Sequence, residues 1–244
     1  MASMSDRLLN VNGRRVLREL RDHHVLPKPV GDKLLERIPA VPLSAIVGKP
    51  EIRVLGTYCY ADGYLPWCDL VALMSVVVDR APRSILEIGT FNGYTTLLMA
   101  LNLPEAEIHT IDLPEDFQDL GPRNGLVKDD FHLIASRRVG CEYRAEPSVK
   151  TIHQHFGDTA EYDLPAAEFY FIDGSHTYSY ARNDTERALA SGAAKTLVWH
   201  DCDRHHCGVT QVLVEMLEAG RPVRRIAGTN LAILDVAAPV AAQA

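Results

Sequence analysis

The amino-acid sequence predicts a doubly wound, Rossmann-like α/β fold, in which helices cover both faces of a mostly parallel sheet. From residue 67 onward, short apolar segments alternate with amphipathic stretches of about ten to fifteen residues. This alternation predicts parallel strands joined by right-handed helical crossovers. The last two apolar segments are separated by a Thr-Asn turn that is too short for a crossover, so these two strands must pair antiparallel. We therefore expect a seven-stranded sheet with a C-terminal antiparallel hairpin.

The position of each element follows from the local pattern of apolar residues. The predicted strands are short apolar segments at residues 84–89, 107–112, 141–144, 168–173, 195–200, 223–228 and 231–236. The predicted helices have apolar residues at helical spacing and lie at residues 67–79, 94–101, 149–156, 178–191 and 209–219. The segment at 141–144 is the weakest of the predicted strands.

The chain is expected to contain one main domain, at residues 67–236, preceded by a helical and lid segment at 1–66 and followed by a disordered tail at 237–244. Residues 5–23 mix Leu, Val and Arg in a pattern that predicts an amphipathic helix. Because an exposed apolar stripe usually finds a partner, we expect a homodimer or a higher homo-oligomer. Four aromatic residues before the first strand of the main domain form either a substrate lid or packing against the sheet: Tyr58, Tyr60, Tyr64 and Trp67.

Composition excludes several classes of protein. The formal net charge of −7 argues against a general nucleic-acid binder, which would be basic. Charged residues near the start interrupt any signal peptide, and the longest apolar stretch, residues 70–78, is half the length needed to span a bilayer. Five cysteines without paired short spacings do not indicate a disulfide framework. We therefore expect a cytoplasmic protein that binds neither nucleic acid nor membrane.

A glycine-containing turn after the strand at 84–89 predicts a ligand site, because open α/β sheets bind ligands at the carboxyl ends of their strands. Gly89 and Gly93 are spaced G-x-x-x-G, which differs from the G-x-G-x-x-G of dinucleotide sites and from phosphate-binding loops. Glu87 would repel a phosphate but could pair with an ammonium group. Asp112, at the end of the next strand, could accept both hydroxyls of a ribose. An adenosine with a positive, phosphate-free tail satisfies these features, and S-adenosylmethionine is such a molecule.

The segment LEIGTFNGYTT at residues 86–96 resembles the first motif of the class I S-adenosylmethionine-dependent methyltransferases. The resemblance covers residues 84–236, including the terminal hairpin. FIDGSHTY at 171–178 and WHDCD at 199–203 are similar to a bacterial subgroup that contains the macrocin and mycinamicin sugar O-methyltransferases. The resemblance implies methylation of a hydroxyl on a small molecule, such as a natural-product or sugar intermediate. The residues it implies for cofactor binding are Glu87, Gly89, Thr90, Gly93, Tyr94, Asp112 and Asp173.

Contacts to the adenine ring are expected from the loop after the third strand. With that strand predicted at 141–144, the loop is Glu146-Pro147-Ser148, and Ser148 is the predicted contact. Residues near Asp129 and Asp130 are a second source of such contacts. Neither segment has a spacing that is diagnostic of adenine binding.

Polar residues follow two further strands and predict the chemical site. Asp173 is the last residue of the strand at 168–173. His200 is the last residue of the strand at 195–200, and Asp201 follows it. Adjacent strands lie about 4.8 Å apart, so these side chains could reach one ion, and Mg²⁺ or Mn²⁺ would suit carboxylate ligands. In the sugar methyltransferases that the chain resembles, the two matching aspartates bind metal and the histidine matching His176 is the general base. His200 is either a third ligand or a residue that supports one.

Other interpretations of the site and of the function stay open. Residues 200–207 combine Cys and His, which suggests zinc, although the C-x4-C spacing lacks the paired clamps of structural zinc sites. In that loop His205 or His206 could instead orient the substrate. An S-adenosylmethionine-fold protein could also serve a non-methylating role, for example as an accessory to hydroxylation. The same fold is also compatible with a nicotinamide-dependent oxidoreductase or with a non-catalytic binding module.

Overall fold

The computed structural model describes residues 28–55, 62–117, 131–146 and 149–236. The predicted helix at 5–23, Tyr58, Tyr60, Asp129, Asp130, Ser148 and the tail lie outside these residues, so the predictions made for them stay predictions. No described helix has the combination of length and apolarity that crossing a membrane requires.

The strands of the described residues form one mostly parallel sheet, which confirms the predicted fold class. In chain order the strands are β1 (Ala40–Val41), β2 (Ser84–Ile88), β3 (Glu107–Asp112), β4 (Ile152–Phe156), β5 (Phe169–Ile172), β6 (Thr196–Trp199), β7 (Arg224–Ile226) and β8 (Ala232–Asp235). Their order in the sheet is β1-β7-β8-β6-β5-β2-β3-β4. The last strand, β8, lies between β6 and β7 and is antiparallel to both, as the short turn requires. The short β1 makes eight strands in place of the expected seven.

Helices cover both faces of the sheet. They are α1 (Lys28–Glu36), α2 (Trp67–Arg80), α3 (Tyr94–Asn102), α4 (Phe131–Ser136), α5 (Cys141–Arg144), α6 (Tyr178–Ala190) and α7 (Cys207–Glu218), with a 3-10 turn at Leu43–Ala45. One apolar core contains buried residues of α6 and α7, and the other contains buried residues of α2 and α3. Because α1 and β1 precede residue 67, part of the N-terminal segment packs with the sheet domain.

Two adjacent elements were predicted with their types exchanged. Residues 141–144 form the helix α5 where a strand was expected, and the predicted helix at 149–156 contains the strand β4. Gly140 adopts a left-handed conformation with φ of 71° and begins α5, whose Arg144 N–H donates to the Gly140 carbonyl at 3.1 Å. The free edge of β3 offers unpaired backbone groups, and pairing with it outweighs the local preferences of residues 152–156. The strand predicted at 141–144 was therefore wrong because a helix begins at Gly140, and the helix predicted at 149–156 was wrong because this segment pairs with β3.

Candidate active site

A cavity of about 420 Å³ opens where β2, β3, β5 and β6 end. Such a position is the general ligand site of open α/β sheets. Six of the residues predicted to bind cofactor or metal or to act in catalysis line this cavity: Gly89, Asp112, Asp173, His176, His200 and Asp201. Residues at the ends of four strands, as predicted, therefore meet in one cavity.

The turn after β2 depends on glycine at its first position. Gly89 has φ of 99°, and a Cβ on it would lie 2.0 Å from the carbonyl oxygen of Asp173. A side chain there would therefore push the end of β2 away from the end of β5. Gly93, with φ of 83°, is the N-cap residue of α3, and its N–H donates to the Thr90 carbonyl at 2.8 Å. These two glycines shape the wall of the cavity through the backbone.

Glu87 lies beneath this turn and does not line the cavity. Its side chain is completely buried, and its Oε2 accepts hydrogen bonds from the hydroxyls of Thr110, at 2.6 Å, and Thr96. Among the described residues, Oε1 has no hydrogen-bond partner. Burial raises the pKa of Glu87 to about 8, so the carboxyl is mostly protonated at neutral pH. Glu87, which was predicted to pair with an ammonium group, contacts two threonines beneath the turn in this structure.

Two further residues of the predicted cofactor motif also lie within the scaffold of the turn. The hydroxyl of Thr90 is buried and within 2.7 Å of the Thr110 hydroxyl. Tyr94 is buried at the start of α3, and its hydroxyl donates to the Leu55 carbonyl at 3.4 Å. With Gly93, these residues form the layer that holds the turn and do not form the cavity lining.

Asp112 is held at the end of β3 by backbone groups and one arginine. The Phe91 and Leu113 N–H groups donate to its two carboxylate oxygens at 2.8 and 2.7 Å. Arg137 Nη2 lies 3.3 Å from Oδ1 of Asp112, and Arg137 was not predicted from the sequence. Burial raises the pKa of Asp112, and the Arg137 charge opposes this shift. A carboxylate has about four lone-pair positions, so these contacts leave room for a hydroxyl.

Contacts to adenine were predicted from the loop after the third parallel strand, and that strand is β4. Since β4 ends at Phe156, the loop after it is Gly157-Asp158-Thr159, and these three residues line the cavity. The Tyr180 hydroxyl donates to Asp158 Oδ2 at 2.6 Å. The prediction of Ser148 assumed a strand at 141–144, and the same rule applied to β4 makes the loop at 157–159 a further candidate. A correct assignment of β4 would have identified Asp158 from the sequence.

His176 and Asp201 form a close pair on the opposite wall of the cavity. His176 Nε2 lies 2.7 Å from Asp201 Oδ2. Asp201 adopts φ of 56°, an uncommon conformation for a residue with a side chain. The N–H of Asp203 donates to the Asp201 carbonyl at 2.8 Å, and the N–H of Cys202 donates to Asn230 at 2.9 Å. These backbone bonds support the conformation that directs the Asp201 carboxylate toward His176.

His200 lies among three carboxylates. Its Nδ1 is 3.1 Å from Asp173 Oδ1 and 3.2 Å from Asp201 Oδ2, and its Nε2 is 3.0 Å from Asp69 Oδ2. Burial alone would lower the pKa of His200, but the charges of Asp201 and Asp173 outweigh it and hold the pKa well above the usual value. Burial raises the pKa of Asp173, which His200 opposes. Asp69 lies in the first turn of α2 and was not predicted, because nothing near it in the sequence points to this contact.

The pKa of Asp201 is shifted the other way. Burial alone would raise it, but the positive charges of His200 and His176 hold it well below the usual value for an aspartate. Asp201 is therefore the carboxylate of this wall that stays ionised over the widest pH range. An ionised carboxylate beside His176 can orient the ring and stabilise its protonated form.

Two sets of side chains in the cavity wall have ligand atoms within 4.8 Å of one another: Asp173, His200 and Asp201, and His176, Asp201 and His206. The first set is the predicted magnesium site, and its two carboxylates suit a hard divalent cation. Among the described residues, neither set includes a cysteine. Burial raises the pKa of Cys202 to about 12, which disfavours the thiolate that zinc needs.

The aromatic residues of the predicted lid take different positions. Tyr64 lines the cavity, with its ring edge-to-face against Phe91 at a centroid distance of 5.6 Å. Its hydroxyl donates to Glu142 Oε1 at 3.1 Å. Trp67 begins α2, is 47% exposed and does not line the cavity. Of the two described members of the lid, Tyr64 is therefore the one placed to contact a ligand.

Residues 86–202 match the model of a methyltransferase domain family. This stretch is just under half of the chain and contains the six predicted residues that line the cavity. The fold is similar to that of the methyltransferase PaMTH1 of Podospora anserina, a structure with bound S-adenosylhomocysteine. The two chains are 14% identical, the match covers 94% of this chain and 97% of that one, and the TM-score is 0.50.

A second solved structure with some likeness is the O-methyltransferase TomG from Streptomyces achromogenes, which is involved in tomaymycin synthesis and was solved with S-adenosylmethionine. The two chains are 19% identical, the match covers 72% of this chain and 83% of the TomG chain, and the TM-score is 0.47. The domain match and the sheet with its inserted antiparallel strand define the class of protein. The chain carries a methyltransferase domain at residues 86–202, which together with this sheet supports the activity of an S-adenosylmethionine-dependent methyltransferase.

Proposed function

We propose that the chain transfers a methyl group from S-adenosylmethionine to a hydroxyl of a small molecule, such as a natural-product or sugar intermediate. The observation that carries the proposal is the His176–Asp201 pair, 2.7 Å apart, in the same cavity as Gly89 and Asp112. A hydroxyl is a poor nucleophile at neutral pH, so its methylation needs a proton acceptor beside the acceptor oxygen. A cavity of about 420 Å³ has the dimensions of a small-molecule site.

The wall made by β2 and β3 is proposed to hold the cofactor. Asp112 accepts a ribose hydroxyl, the Gly89 turn lets the ligand approach the backbone, and Asp173 faces the same space. Asp158 takes over the adenine contact that was expected from Ser148, because it follows the third parallel strand. When bound, S-adenosylmethionine supplies a methyl group on a positively charged sulfur. Glu87, Thr90, Gly93 and Tyr94 support this wall from beneath.

The wall made by β5 and β6 is proposed to prepare the acceptor. Asp201 contacts Nε2 of His176 and orients the ring, and His176 is proposed to take the proton of the acceptor hydroxyl. The charge that develops on the ring is stabilised by the neighbouring carboxylate. Holding donor and acceptor in line contributes roughly 7–11 kcal/mol to catalysis of such a displacement.

A divalent ion, Mg²⁺ or Mn²⁺, is proposed to bind Asp173 and Asp201, with His200 as a ligand or as the support of these ligands. The ligand atoms of these three residues lie within 4.8 Å of one another, so one ion could contact all three. The ion would lower the pKa of a bound hydroxyl. His200 also contacts Asp69, so its position is fixed from the side of α2.

The test of cofactor binding is the melting temperature with added ligands. S-adenosylmethionine and S-adenosylhomocysteine should raise it, and NAD and ATP should not, because a ligand that binds the native state stabilises it. Asp112→Ala should reduce the rise, and the exposed Asp116→Ala provides a matched control. A rise with NAD and none with S-adenosylmethionine would favour an oxidoreductase. Cofactor binding without formation of S-adenosylhomocysteine would favour a non-methylating role.

The metal proposal has a separate test. EDTA should abolish turnover, added Mg²⁺ or Mn²⁺ should restore it, and cofactor binding should survive because Asp112 does not depend on the ion. Full activity in EDTA would contradict the metal role and leave His176 as the proton acceptor. The homo-oligomer and the cytoplasmic location remain predictions from the sequence.

A further inference from the structure

His176, Asp201 and His206 form a second donor set beside the proposed magnesium ligands. Their ligand atoms lie within 4.8 Å of one another. His176 Nε2 is 2.7 Å from Asp201 Oδ2, and His206 Nδ1 is 3.3 Å from Asp201 Oδ1. In a tetrahedral zinc site with bonds of about 2.0–2.1 Å, neighbouring ligand atoms lie roughly 3.3 Å apart. The three side chains therefore need small adjustments to surround one ion.

These side chains are enclosed but reachable from the cavity. The exposed fractions are 20% for the His176 side chain, 10% for Asp201 and 28% for His206, and all three residues line the cavity. An ion could therefore enter from solvent and keep one position open for water. A site with three protein ligands and one open position is typical of exchangeable zinc.

The loop before α7 holds His206 in place. Asp203 Oδ1 accepts the N–H groups of His205 and His206 at 2.6 and 2.8 Å, and its Oδ2 lies 3.0 Å from His206 Nδ1. Asp203 thus orients the His206 ring through both the backbone and the side chain. Because Asp203 and Asp201 both face Nδ1 of His206, an ion bound at this nitrogen would replace the side-chain contact with Asp203, and the backbone contacts would still hold the loop.

The two donor sets differ in the cations that they favour. Asp173 and Asp201 present hard carboxylate oxygens, which suit Mg²⁺. His176 and His206 present two imidazole nitrogens beside a single carboxylate, and imidazole favours Zn²⁺, Co²⁺ or Ni²⁺. Because Asp201 belongs to both sets, the character of the bound ion depends on which histidines take part.

We propose that His176, Asp201 and His206 bind a transition-metal cation such as Zn²⁺, and that this binding inhibits methyl transfer. The inhibition rests on the proposed function of His176, whereas the binding does not. An imidazole that coordinates zinc through one nitrogen keeps a proton on the other at neutral pH. His176 could then no longer accept a proton from the acceptor hydroxyl, and Asp201 would be withdrawn from the magnesium set.

The binding is tested on the full chain after removal of metals with a chelator, without cofactor or substrate. Zn²⁺ affinity is measured by competition with a chromogenic chelator, and Co²⁺ serves as a spectroscopic probe. His176→Gln and His206→Gln should each weaken Zn²⁺ binding by at least about tenfold, since each removes one of three ligands. His205→Gln is the matched control, because His205 is the exposed neighbour outside the donor set and should keep the wild-type affinity.

Wild-type affinity in His206→Gln would overturn the proposal. So would a loss of Zn²⁺ binding in Asp173→Asn with none in His206→Gln, because the ion would then occupy the magnesium set. Melting temperatures check that the variants fold. If His206→Gln does not fold, the ring protons of wild-type His176 and His206 should show paramagnetic shifts with Co²⁺ in nuclear magnetic resonance, and unshifted signals would overturn the site.

The inhibition is tested separately, with S-adenosylhomocysteine formation measured in excess Mg²⁺. Added Zn²⁺ should inhibit the wild type, and the concentration for half inhibition should rise at least about tenfold in His206→Gln relative to that variant's own rate. An unchanged inhibitory concentration would overturn the regulatory step. If no methyl transfer occurs at all, the proposed function fails while the Zn²⁺ affinities of the variants still decide the site.

Discussion

The two walls of the cavity use their polar residues in opposite ways. In the β2–β3 wall, Glu87 and Thr110 bond to each other beneath the surface, and Asp112 is held by backbone N–H groups. In the β5–β6 wall, His176 and Asp201 face the cavity and contact each other. The first wall presents a shaped backbone supported by buried polar groups, and the second presents titratable side chains. Binding and chemistry should therefore respond to different substitutions.

The largest expected effect is on the rate, from the β5–β6 wall. His176→Ala should lower kcat on the order of 10²–10⁴-fold, because general-base catalysis contributes about that much. The affinity for S-adenosylmethionine should change little. His153→Ala, an exposed histidine on β4, is the control. The loss should shrink as pH rises and the hydroxyl ionises unaided, and a kcat equal to wild type would remove His176 from the mechanism.

The reciprocal substitution, Asp112→Ala in the β2–β3 wall, should act on affinity. Hydrogen bonds to a charged group contribute about 1.5–3 kcal/mol, so the Kd for S-adenosylmethionine should rise roughly 10–100-fold. At saturating cofactor, kcat should fall far less than in His176→Ala. Calorimetry and steady-state rates give the two numbers. Equal effects on kcat from both substitutions would remove the distinction between the walls.

The shaped backbone of the first wall is tested by stability. Gly89→Ala introduces a left-handed alanine and a Cβ 2.0 Å from the Asp173 carbonyl oxygen. Gly192→Ala is the matched control, because it has φ of 69° but no atom within 4 Å of its Cβ. The control should lose about 1–2 kcal/mol of unfolding free energy, and Gly89→Ala should lose clearly more. Equal losses in denaturant unfolding would show that the turn tolerates a side chain.

The pH dependence of stability tests the buried Glu87, which supports the first wall from beneath. Its folded pKa of about 8 exceeds the usual value of 4.5, so the folded state binds the proton more tightly than the unfolded state. This contribution to stability is present below pH 4.5 and is lost as pH rises toward 8, by roughly 1.4 kcal/mol for each pH unit in that interval. Glu87→Gln, which cannot ionise, should flatten the decline. Parallel pH profiles of wild type and variant would show that Glu87 is not protonated in the fold.

The fold could be predicted from the sequence to the extent that each element carries its own pattern. The strands around residues 85, 170 and 197 have apolar runs bounded by turn residues, and the short final turn required the antiparallel hairpin. The strand β4 has three polar residues among five, His153, Gln154 and His155, so its pairing with β3 could not be inferred locally. The short β1 depends likewise on pairing with β7.

The residues of the candidate site also divide into those with a local sequence signal and those placed by tertiary contacts. Residues that directly follow predicted strands could be found from the sequence, as Asp112, Asp173 and Asp201 show. Asp69 and Arg137 reach the site from helices or helix ends that pack against these strand ends, so their contacts depend on tertiary structure. For His206, the sequence indicated a polar loop, and the geometry adds its contacts with Asp201 and Asp203.

The most direct measurement of the central claim is the fate of a labelled methyl group. The enzyme is incubated with S-adenosylmethionine that is isotopically labelled in its methyl group and with a panel of hydroxylated small molecules. We expect S-adenosylhomocysteine and one product carrying the label on oxygen to form in equal amounts, and both to be strongly reduced in His176→Ala. Label on carbon or nitrogen, or cofactor binding without any S-adenosylhomocysteine across the panel, would contradict it.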